Sequence, residues 1–222
     1  MTRYLTLSAI AVAAAAGIGF YATQGAQSTS TSLPSFAAHA QEAGIDISTV
    51  QEMALGEDTA PVTLIEYASF TCPHCANFHS EIFPRLKEDY IDTGKVRFVS
   101  REVYFDRLGL WAAMVARCSG DTNRYFGIAD MIYEQQRQWT QGEPVEIVEN
   151  LRRMGRQAGL TDDQLDACLS DGDKAQTLVA WYQENAAADG IEATPSFVIN
   201  GETYRNMGYR ALTELLDDAA GS

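Results

Sequence analysis

The chain has 222 residues, of which 46% are hydrophobic, and a formal net charge of -14 at pH 7. This length and composition predict one globular domain, or one domain with a large insertion, that can bury a core of its own. The charge argues against nucleic acid as a partner, because phosphate binding requires clustered lysine and arginine residues. We interpret it as a solvated acidic surface.

The N-terminal residues have the pattern of a targeting segment. Arg3 supplies a positive start, residues 4–22 are apolar and rich in alanine, and no acidic residue precedes Glu42. We therefore expect residues 1–26 to be a signal peptide for export or, if it is not cleaved, a membrane anchor. Residues 27–47 begin rich in serine, threonine and glutamine and are expected to form a flexible tether.

The next part of the chain alternates between helical and extended patterns. A short helix is expected within residues 45–55, followed by a buried strand over 62–70. Residues 76–90 have helical spacing, and Pro84 is expected to kink that helix because it removes a backbone donor. A second strand is expected over 95–103. This order predicts a strand–helix–strand unit.

Residues 107–190 are helical in pattern throughout. Five helices are expected there, and Pro144 marks the start of the third. The chain then returns to a short apolar strand at 194–199, and Asn200-Gly201 is a hairpin signal of type I′. A closing helix is expected over 209–219. The element order therefore predicts an α/β protein with a helical block in its middle.

A Cys-Pro-His-Cys motif occupies residues 72–75, between the first strand and the helix that follows it. The first sulfur would then lie at a helix N-terminus, where unpaired N–H groups and the helix dipole stabilise a thiolate. Cys75 lies one turn further on and can close a small disulfide. Pro73 suits the first helical turn, because its missing N–H would have no partner there.

Three interpretations of this motif are open: a redox pair, half of a metal site, or a structural disulfide. A metal site requires about four ligands. The other nearby candidates are His74 and His79, and His74 is poorly placed because it lies between the two cysteines. We therefore expect no metal and favour redox chemistry.

Two more cysteines, Cys118 and Cys168, lie in the helical block. Four cysteines in an exported protein are most simply two disulfides. Cys72 and Cys75 can pair locally, which leaves Cys118 and Cys168 for each other. The alternative is two buried unpaired thiols.

Two further features bear on the redox interpretation. Glu66 lies in the apolar strand before the motif, and it either points to solvent or is buried as a proton-transfer group. Thr194-Pro195 opens the late strand. The proline is either tolerated at a strand start or part of a cis-proline loop beside the disulfide.

The combination of Glu66, the motif at 72–75 and Thr194-Pro195 resembles the thioredoxin superfamily. The spelling of the motif, the segment 60–67 that leads into it and the helical block before Thr194 are similar to its DsbA-like branch. The resemblance covers roughly residues 50–220.

The resemblance implies an α/β thioredoxin fold with a large all-helical insertion. The thioredoxin-like domain would comprise residues 48–106 and 191–222. The insertion, residues 107–190, would separate its βαβ half from its C-terminal β-hairpin and helix.

The resemblance also implies a role for each site residue. Cys72 would be the exposed nucleophile and Cys75 the buried resolving thiol. His74 would stabilise the Cys72 thiolate, and Glu66 would shuttle protons near Cys75. Thr194 and Pro195 would bind the substrate backbone. Cys118 and Cys168 match a second, structural disulfide that some relatives carry in the helical block.

The implied activity is that of a protein thiol–disulfide oxidoreductase of the bacterial periplasm or cell envelope. The expected form is a monomeric oxidase without a cofactor that donates disulfides to unfolded or reduced exported proteins and is recharged by a quinone-linked membrane partner. One alternative is an isomerase or reductase on the same fold, although residues 27–50 are too few for a dimerisation domain. Another is a chaperone-like binding module with a structural disulfide, against which His74 argues.

Overall fold

The computed structural model describes residues 44–221. The predicted targeting segment, residues 1–26, and residues 27–43 of the predicted tether lie outside the described residues. The last tether residues lead into a 3₁₀ helix, Ile47–Thr49, which the Asp46 side chain caps by accepting a hydrogen bond from the Ser48 N–H over 3.0 Å. Between residues 44 and 221, no helix is both long and apolar enough to cross a membrane.

A five-stranded mixed sheet forms the centre of the fold. Its strand order is β1-β3-β2-β4-β5, with β2 and β3 parallel and every other neighbouring pair antiparallel. The central strand β2 therefore lies between the first half of the protein and the C-terminal hairpin. The strands are β1 Met53–Leu55, β2 Val62–Ala68, β3 Val96–Glu102, β4 Ser196–Ile199 and β5 Glu202–Arg205.

Helices lie between β2 and β3, between β3 and β4, and after β5. Between β2 and β3 lie α1 Pro73–Glu81 and α2 Phe83–Leu86, followed by a π-helical turn, Lys87–Ile91. The last helix, α9 Tyr209–Ala220, follows β5. The helices between β3 and β4 are α3 Arg107–Ala116, α4 Thr122–Glu134, α5 Gln136–Trp139, α6 Pro144–Gln157, α7 Asp162–Ser170 and α8 Gly172–Ala188. The predicted α/β thioredoxin fold with a helical insertion is confirmed, while the domain boundaries stay a prediction.

Two local expectations differ from the structure. Only Ile47–Thr49 of the region 45–55 is helical, because Met53 to Leu55 pair with the free edge of β3, and Met53 is buried there. The short helix α5 was not expected. Both differences arise from contacts with distant parts of the chain, which local spacing does not encode.

The two faces of the sheet pack against different helices. On β2, Leu64 and Ala68 join the main core together with Phe78 of α1, while Tyr67 belongs to a smaller cluster with Ala186 of α8. Successive side chains of a strand point to opposite faces. Glu66 therefore shares the face of Leu64 and Ala68 and points towards α1.

The hairpin turn between β4 and β5 is Asn200-Gly201. Both residues have positive φ, 46° and 94°, as a type I′ turn requires. The Asn200 side chain also accepts a hydrogen bond from the Thr63 N–H over 2.9 Å. The turn thereby anchors the hairpin to β2, next to which the Thr194-Pro195 segment enters the sheet.

Candidate active site

Cys72 is the N-cap residue of α1, and Pro73 follows at the first helical position. The backbone at Cys72 is extended, and its N–H donates to the Ser69 carbonyl oxygen over 3.1 Å. The end of β2 and a tight turn therefore deliver the Cys72 sulfur to the N-terminus of α1. Cys72 is buried, with 9% of its surface exposed, so the expectation of an exposed nucleophile is wrong. The Thr194 carbonyl oxygen, 3.5 Å from the Cys72 sulfur, is one of the atoms that cover it.

The environment of Cys72 favours its thiolate. Its pKa is lowered to about 5, chiefly because the Cys75 side chain hydrogen-bonds its sulfur, while burial works in the opposite direction. The Thr194 side chain and the backbone N–H groups of Cys75 and His74 lower the pKa further. Each of these donors stabilises the charged form of the sulfur.

The environment of Cys75 favours its thiol. Its side chain is fully buried, and burial raises its pKa far above the usual thiol range. The hydrogen bond to Cys72 and the negative charge of Glu66 raise the pKa further. In this structure Cys72 and Cys75 are both free thiols. One sulfur is therefore prepared to attack or leave, while the other needs a proton acceptor before it can react.

His74 and Pro73 are both exposed at the start of α1. The N–H of His74 points to the Cys72 sulfur and lowers its pKa. The thiolate-stabilising role predicted for the His74 side chain stays a prediction.

Glu66 lies in a buried pair with His79. Its Oε2 atom is 2.9 Å from Nε2 of His79, and the two side chains are 0% and 4% exposed. The imidazole stacks on the ring of Tyr133 from α4, with centroids 4.0 Å apart. Of the two possibilities left open for Glu66, the structure has the buried one.

His79 was considered in the sequence only as a metal ligand. It follows Cys75 by four residues in α1, and side chains at that spacing lie on the same face of a helix. This spacing is the signal that places His79 beneath the cysteine pair, next to Glu66.

The Thr194–Pro195 peptide bond is cis. Pro195 is buried, and the Cys72 thiol donates to the Thr194 carbonyl oxygen over 3.5 Å. The next residue, Ser196, pairs with Tyr67 of β2. The sheet thereby places this segment against the Cys72 sulfur, although the two are far apart in sequence.

The helical insertion contacts the loop of residues 69–72, between β2 and α1, which we call the active-site loop. Nε2 of Gln136, in α5, donates to the carbonyl oxygens of Phe70 and Cys72 over 2.8 and 3.0 Å. Gln136 is buried, so these bonds are shielded from water. The sequence contains no local signal for this contact, because a glutamine in a helical segment is ordinarily a surface residue.

A second link runs from the loop to the first helix of the insertion. Thr71 donates to Oδ2 of Asp106 over 2.7 Å, and Oδ1 of Asp106 accepts the Gly109 N–H over 2.8 Å. Asp106 thereby caps α3 and holds the residue next to Cys72. Gln136 and Asp106 therefore hold the active-site loop at three consecutive residues, since Gln136 bonds Phe70 and Cys72 and Asp106 bonds Thr71.

Cys118 and Cys168, which the sequence analysis paired, are joined by a disulfide bond. Their Cα atoms are 5.7 Å apart and 50 residues separate them in the chain. The bond ties the end of α3 to α7 within the insertion. It is thus separate in sequence and in local structure from the motif at 72–75.

Comparisons with known proteins agree with this geometry. A sequence model of the family described as Thioredoxin matches residues 48–218. A crystal structure of Wolbachia pipientis alpha-DsbA1 superimposes with a TM-score of 0.70 at 30% identity, covering 77% of this chain and 92% of that one. Disulfide bond formation protein D of Bacillus subtilis is 26% identical over 73% of this chain and 74% of its own length.

Curated relatives from Rickettsia are longer than this chain. A candidate protein-disulfide oxidoreductase of Rickettsia bellii is 37% identical over 76% of this chain, but the match spans only 64% of that protein. The chain belongs to the thioredoxin superfamily and, within it, to the DsbA-like thiol–disulfide oxidoreductases.

Proposed function

We propose that this protein is a protein thiol–disulfide oxidase. It donates the disulfide of Cys72 and Cys75 to reduced or unfolded exported proteins in the periplasm or cell envelope, as a monomer and without a cofactor. The names of its relatives, a candidate protein-disulfide oxidoreductase and a disulfide bond formation protein, support the reaction class. The direction of transfer rests on the site itself.

The observation that carries the proposal is the opposite shift of the two thiols. The pKa of Cys72 is lowered to about 5, whereas burial raises that of Cys75. A stabilised Cys72 thiolate favours the reduced protein, and a disulfide whose reduced form is favoured is a strong oxidant. This asymmetry supports donation of disulfides rather than their reduction.

The proposed reaction has two exchange steps. A client thiolate attacks the Cys72 sulfur, the bond between Cys72 and Cys75 breaks, and its electron pair remains on Cys75, which takes up a proton. A second client thiolate then attacks the client sulfur of the mixed disulfide. Cys72 departs as a thiolate, which its low pKa makes a good leaving group.

The remaining residues have proposed roles in the same steps. Thr194 and Pro195 receive the extended backbone of the client beside Cys72, and the Thr194 side chain stabilises the Cys72 thiolate. Glu66 exchanges the proton of Cys75, whose pKa its charge raises. The role of His74 is to stabilise the same Cys72 thiolate through its side chain. The disulfide of Cys118 and Cys168 is structural.

Each turnover leaves the protein reduced by two electrons. The proposed acceptor of those electrons is a quinone-linked membrane partner, which restores the Cys72–Cys75 disulfide. The N-terminal targeting pattern of residues 1–26 supports an exported location, where such a partner is accessible.

Two measurements test the proposal. Absorbance of the reduced protein near 240 nm, followed against pH, is expected to give a Cys72 pKa of about 5. A value near the ordinary thiol pKa of about 8.5 contradicts an oxidase. Cys75→Ala, with Cys72 first charged as a mixed disulfide with glutathione, is expected to exchange the glutathione for a reduced client protein, which releases glutathione thiol and leaves the client trapped on Cys72. The variant that also carries Cys72→Ala is the control. Failure of the charged Cys75→Ala to trap reduced clients would favour a binding module with a structural disulfide.

A further inference from the structure

One polar atom of Glu66 and one of His79 are buried without a hydrogen-bond partner among the described residues. Within the part of the chain that the structure describes, Oε1 of Glu66 and Nδ1 of His79 are buried and have no hydrogen-bond partner. Buried polar groups are normally paired, so unpaired ones need an explanation. A histidine with a purely structural role in a core would be expected to use both ring nitrogens.

A specific protonation state accounts for both atoms. Nε2 of His79 and Oε2 of Glu66 are 2.9 Å apart, a hydrogen bond whose donor depends on the imidazole tautomer. We take the imidazole as neutral, donating its Nε2–H to an ionised carboxylate. Oε1 and Nδ1 are then both acceptors. The pair therefore has room for one more proton in a site closed to water.

Cys75 is the group that needs such an acceptor. It is fully buried, and the negative charge of Glu66 is close enough to act on its thiol. Before Cys75 can attack a mixed disulfide on Cys72, its proton must leave, and bulk water does not reach it. Cys75 and His79 lie one turn apart on α1, with Glu66 beneath them on β2.

We propose that His79 is a positioning residue that shares with Glu66 the proton exchanged by Cys75. This inference rests on the proposed oxidoreductase function and adds a residue to it. The Nε2–H of His79 stabilises the ionised carboxylate, which is the form that can accept a proton. Nδ1 of His79 is a second atom, besides the Glu66 carboxylate, that can hold the proton taken from Cys75.

Recharging of the reduced protein proceeds by two thiol–disulfide exchange steps. The Cys72 thiolate attacks an external disulfide and releases one thiolate, leaving a mixed disulfide on Cys72. The proton of Cys75 moves to the Glu66–His79 pair, and the Cys75 thiolate attacks the Cys72 sulfur. The second external thiolate leaves with the electron pair of the broken bond, and the pair later releases its proton to solvent.

Other titratable groups face the imidazole. Tyr133 of α4 stacks on it, and Asp130 lies one turn earlier on the same helix. Desolvation raises the pKa of Asp130, the charge of Glu134 adds to that shift, and the charges of His79 and Lys87 oppose it. A proton held by His79 therefore lowers the pKa of Asp130, which is exposed on α4.

Oxidation of the reduced protein by oxidised glutathione tests the inference. Acid quenching and mass spectrometry separate the first step, formation of the glutathione adduct on Cys72, from the second, its resolution by Cys75. His79→Gln keeps a hydrogen-bond donor towards Glu66 but cannot hold a proton. Its second step is expected to be at least about tenfold slower than wild type at pH 7. This is less than the roughly hundredfold loss expected for a whole acid–base group, because Glu66 remains. Its rate is also expected to rise steeply with pH, as in Glu66→Gln.

The first step serves as an internal control. It reports on Cys72 alone and is expected to be unchanged in His79→Gln. Glu102→Gln is a matched control, because it loosens another buried ion pair, in which Arg117 donates to Glu102 over 2.7 Å. That variant is expected to lose stability and keep the wild-type pH profile of the second step.

The outcomes are distinguishable. If wild-type Cys75 does not resolve the adduct at all, the proposed function is wrong. If wild type resolves it and His79→Gln has the wild-type rate and pH profile, only the role of His79 is wrong.

If His79→Gln does not fold, the imidazole signals of wild-type His79 provide the test. Their titration by NMR is expected to differ between the oxidised and the reduced protein, because only the reduced protein has a Cys75 proton to share. A titration that is the same in both forms would overturn the inference.

Discussion

Gln136 donates a hydrogen bond to the carbonyl oxygen of Cys72 over 3.0 Å, from a helix of the insertion to the residue that begins α1. The same amide nitrogen also reaches the Phe70 carbonyl oxygen. Through this one side chain, the insertion satisfies two backbone acceptors of the active-site loop. The insertion is thus part of the structure that holds Cys72 in place.

Replacing Gln136 with leucine is expected to destabilise the protein. The change leaves the two carbonyl oxygens without their buried donor, and an unsatisfied buried group costs about 1–3 kcal/mol. Urea unfolding measures the loss. Gln138→Leu, at an exposed position two residues later, is the control and is expected to change the free energy of unfolding little. Equal losses in the two variants would mean that the Gln136 bonds contribute nothing.

Replacing Thr194 with valine is expected to make the disulfide a weaker oxidant. The Thr194 side chain hydrogen-bonds the Cys72 sulfur and lowers its pKa. We expect the Cys72 pKa to rise by about one unit, equivalent to about 1.4 kcal/mol, and the reduction potential to fall by about 30 mV. Thr203→Val, on an exposed position of β5, is the matched substitution and is expected to leave both quantities unchanged. An unchanged Cys72 pKa in Thr194→Val would show that the Thr194 side chain does not stabilise the Cys72 thiolate.

The stability of the reduced protein is expected to depend on pH through Cys72. Folding lowers the Cys72 pKa from 9.0 to about 5, so the thiolate contributes stability that is complete above pH 9 and is lost as the pH falls towards 5. The raised pKa of Cys75 acts in the opposite sense, but only above its unfolded value, where the Cys75 contribution begins to be lost. Within the window, each pH unit changes the free energy of unfolding by at most about 1.4 kcal/mol.

Urea unfolding between pH 5 and 9 checks this expectation. The Cys118→Ala/Cys168→Ala background allows only one disulfide to change between the oxidised and reduced proteins. The reduced form is expected to gain stability relative to the oxidised form as the pH rises. The Cys72→Ser variant, which stays reduced, is expected to lack this gain, so that its stability varies with pH as that of the oxidised protein does. A difference between the two forms that does not vary with pH would contradict the lowered Cys72 pKa.

The disulfide of Cys118 and Cys168 is expected to contribute to stability and not to exchange. A bond that closes a loop of this length contributes up to about 4 kcal/mol in the chain-entropy model. Cys118→Ala/Cys168→Ala is therefore expected to lower the midpoint of thermal unfolding while the rate of oxidation by glutathione at Cys72 stays the same. A changed Cys72 rate at a temperature where the variant is folded would show that the two disulfides are coupled.

The sequence predicted the elements whose signals are local. Pro73 and the Cys-Pro-His-Cys motif marked a helix start, Pro84 marked the break that ends α1 at Glu81, and Asn200-Gly201 marked the hairpin. Each of these signals is a backbone property of the residue itself. They gave the order of the helices and strands from β2 onwards, except for the short helix α5, while the thioredoxin fold was implied by the resemblance.

The parts that were missed depend on distant contacts. The strand β1 exists because Met53 pairs with Ser100, and Gln136 is an active-site residue because α5 packs beside Phe70. His79 had a usable signal in its spacing from Cys75. The burial of Glu66, which strand alternation left open, became clear only with the sheet and α1 in place. Non-local packing, and not residue preference, decides the cases of β1, Gln136 and Glu66.

The reduction potential of the Cys72–Cys75 pair, measured by equilibration with glutathione at pH 7, tests the oxidase function most directly. The low pKa of Cys72 predicts a value nearer the roughly -120 mV of a strong DsbA oxidant than the roughly -270 mV of a thioredoxin. Cys118→Ala/Cys168→Ala, measured in parallel, confines the exchange to one pair and is expected to give the same value. A potential near -270 mV would identify a reductase and contradict the direction of transfer proposed for Cys72.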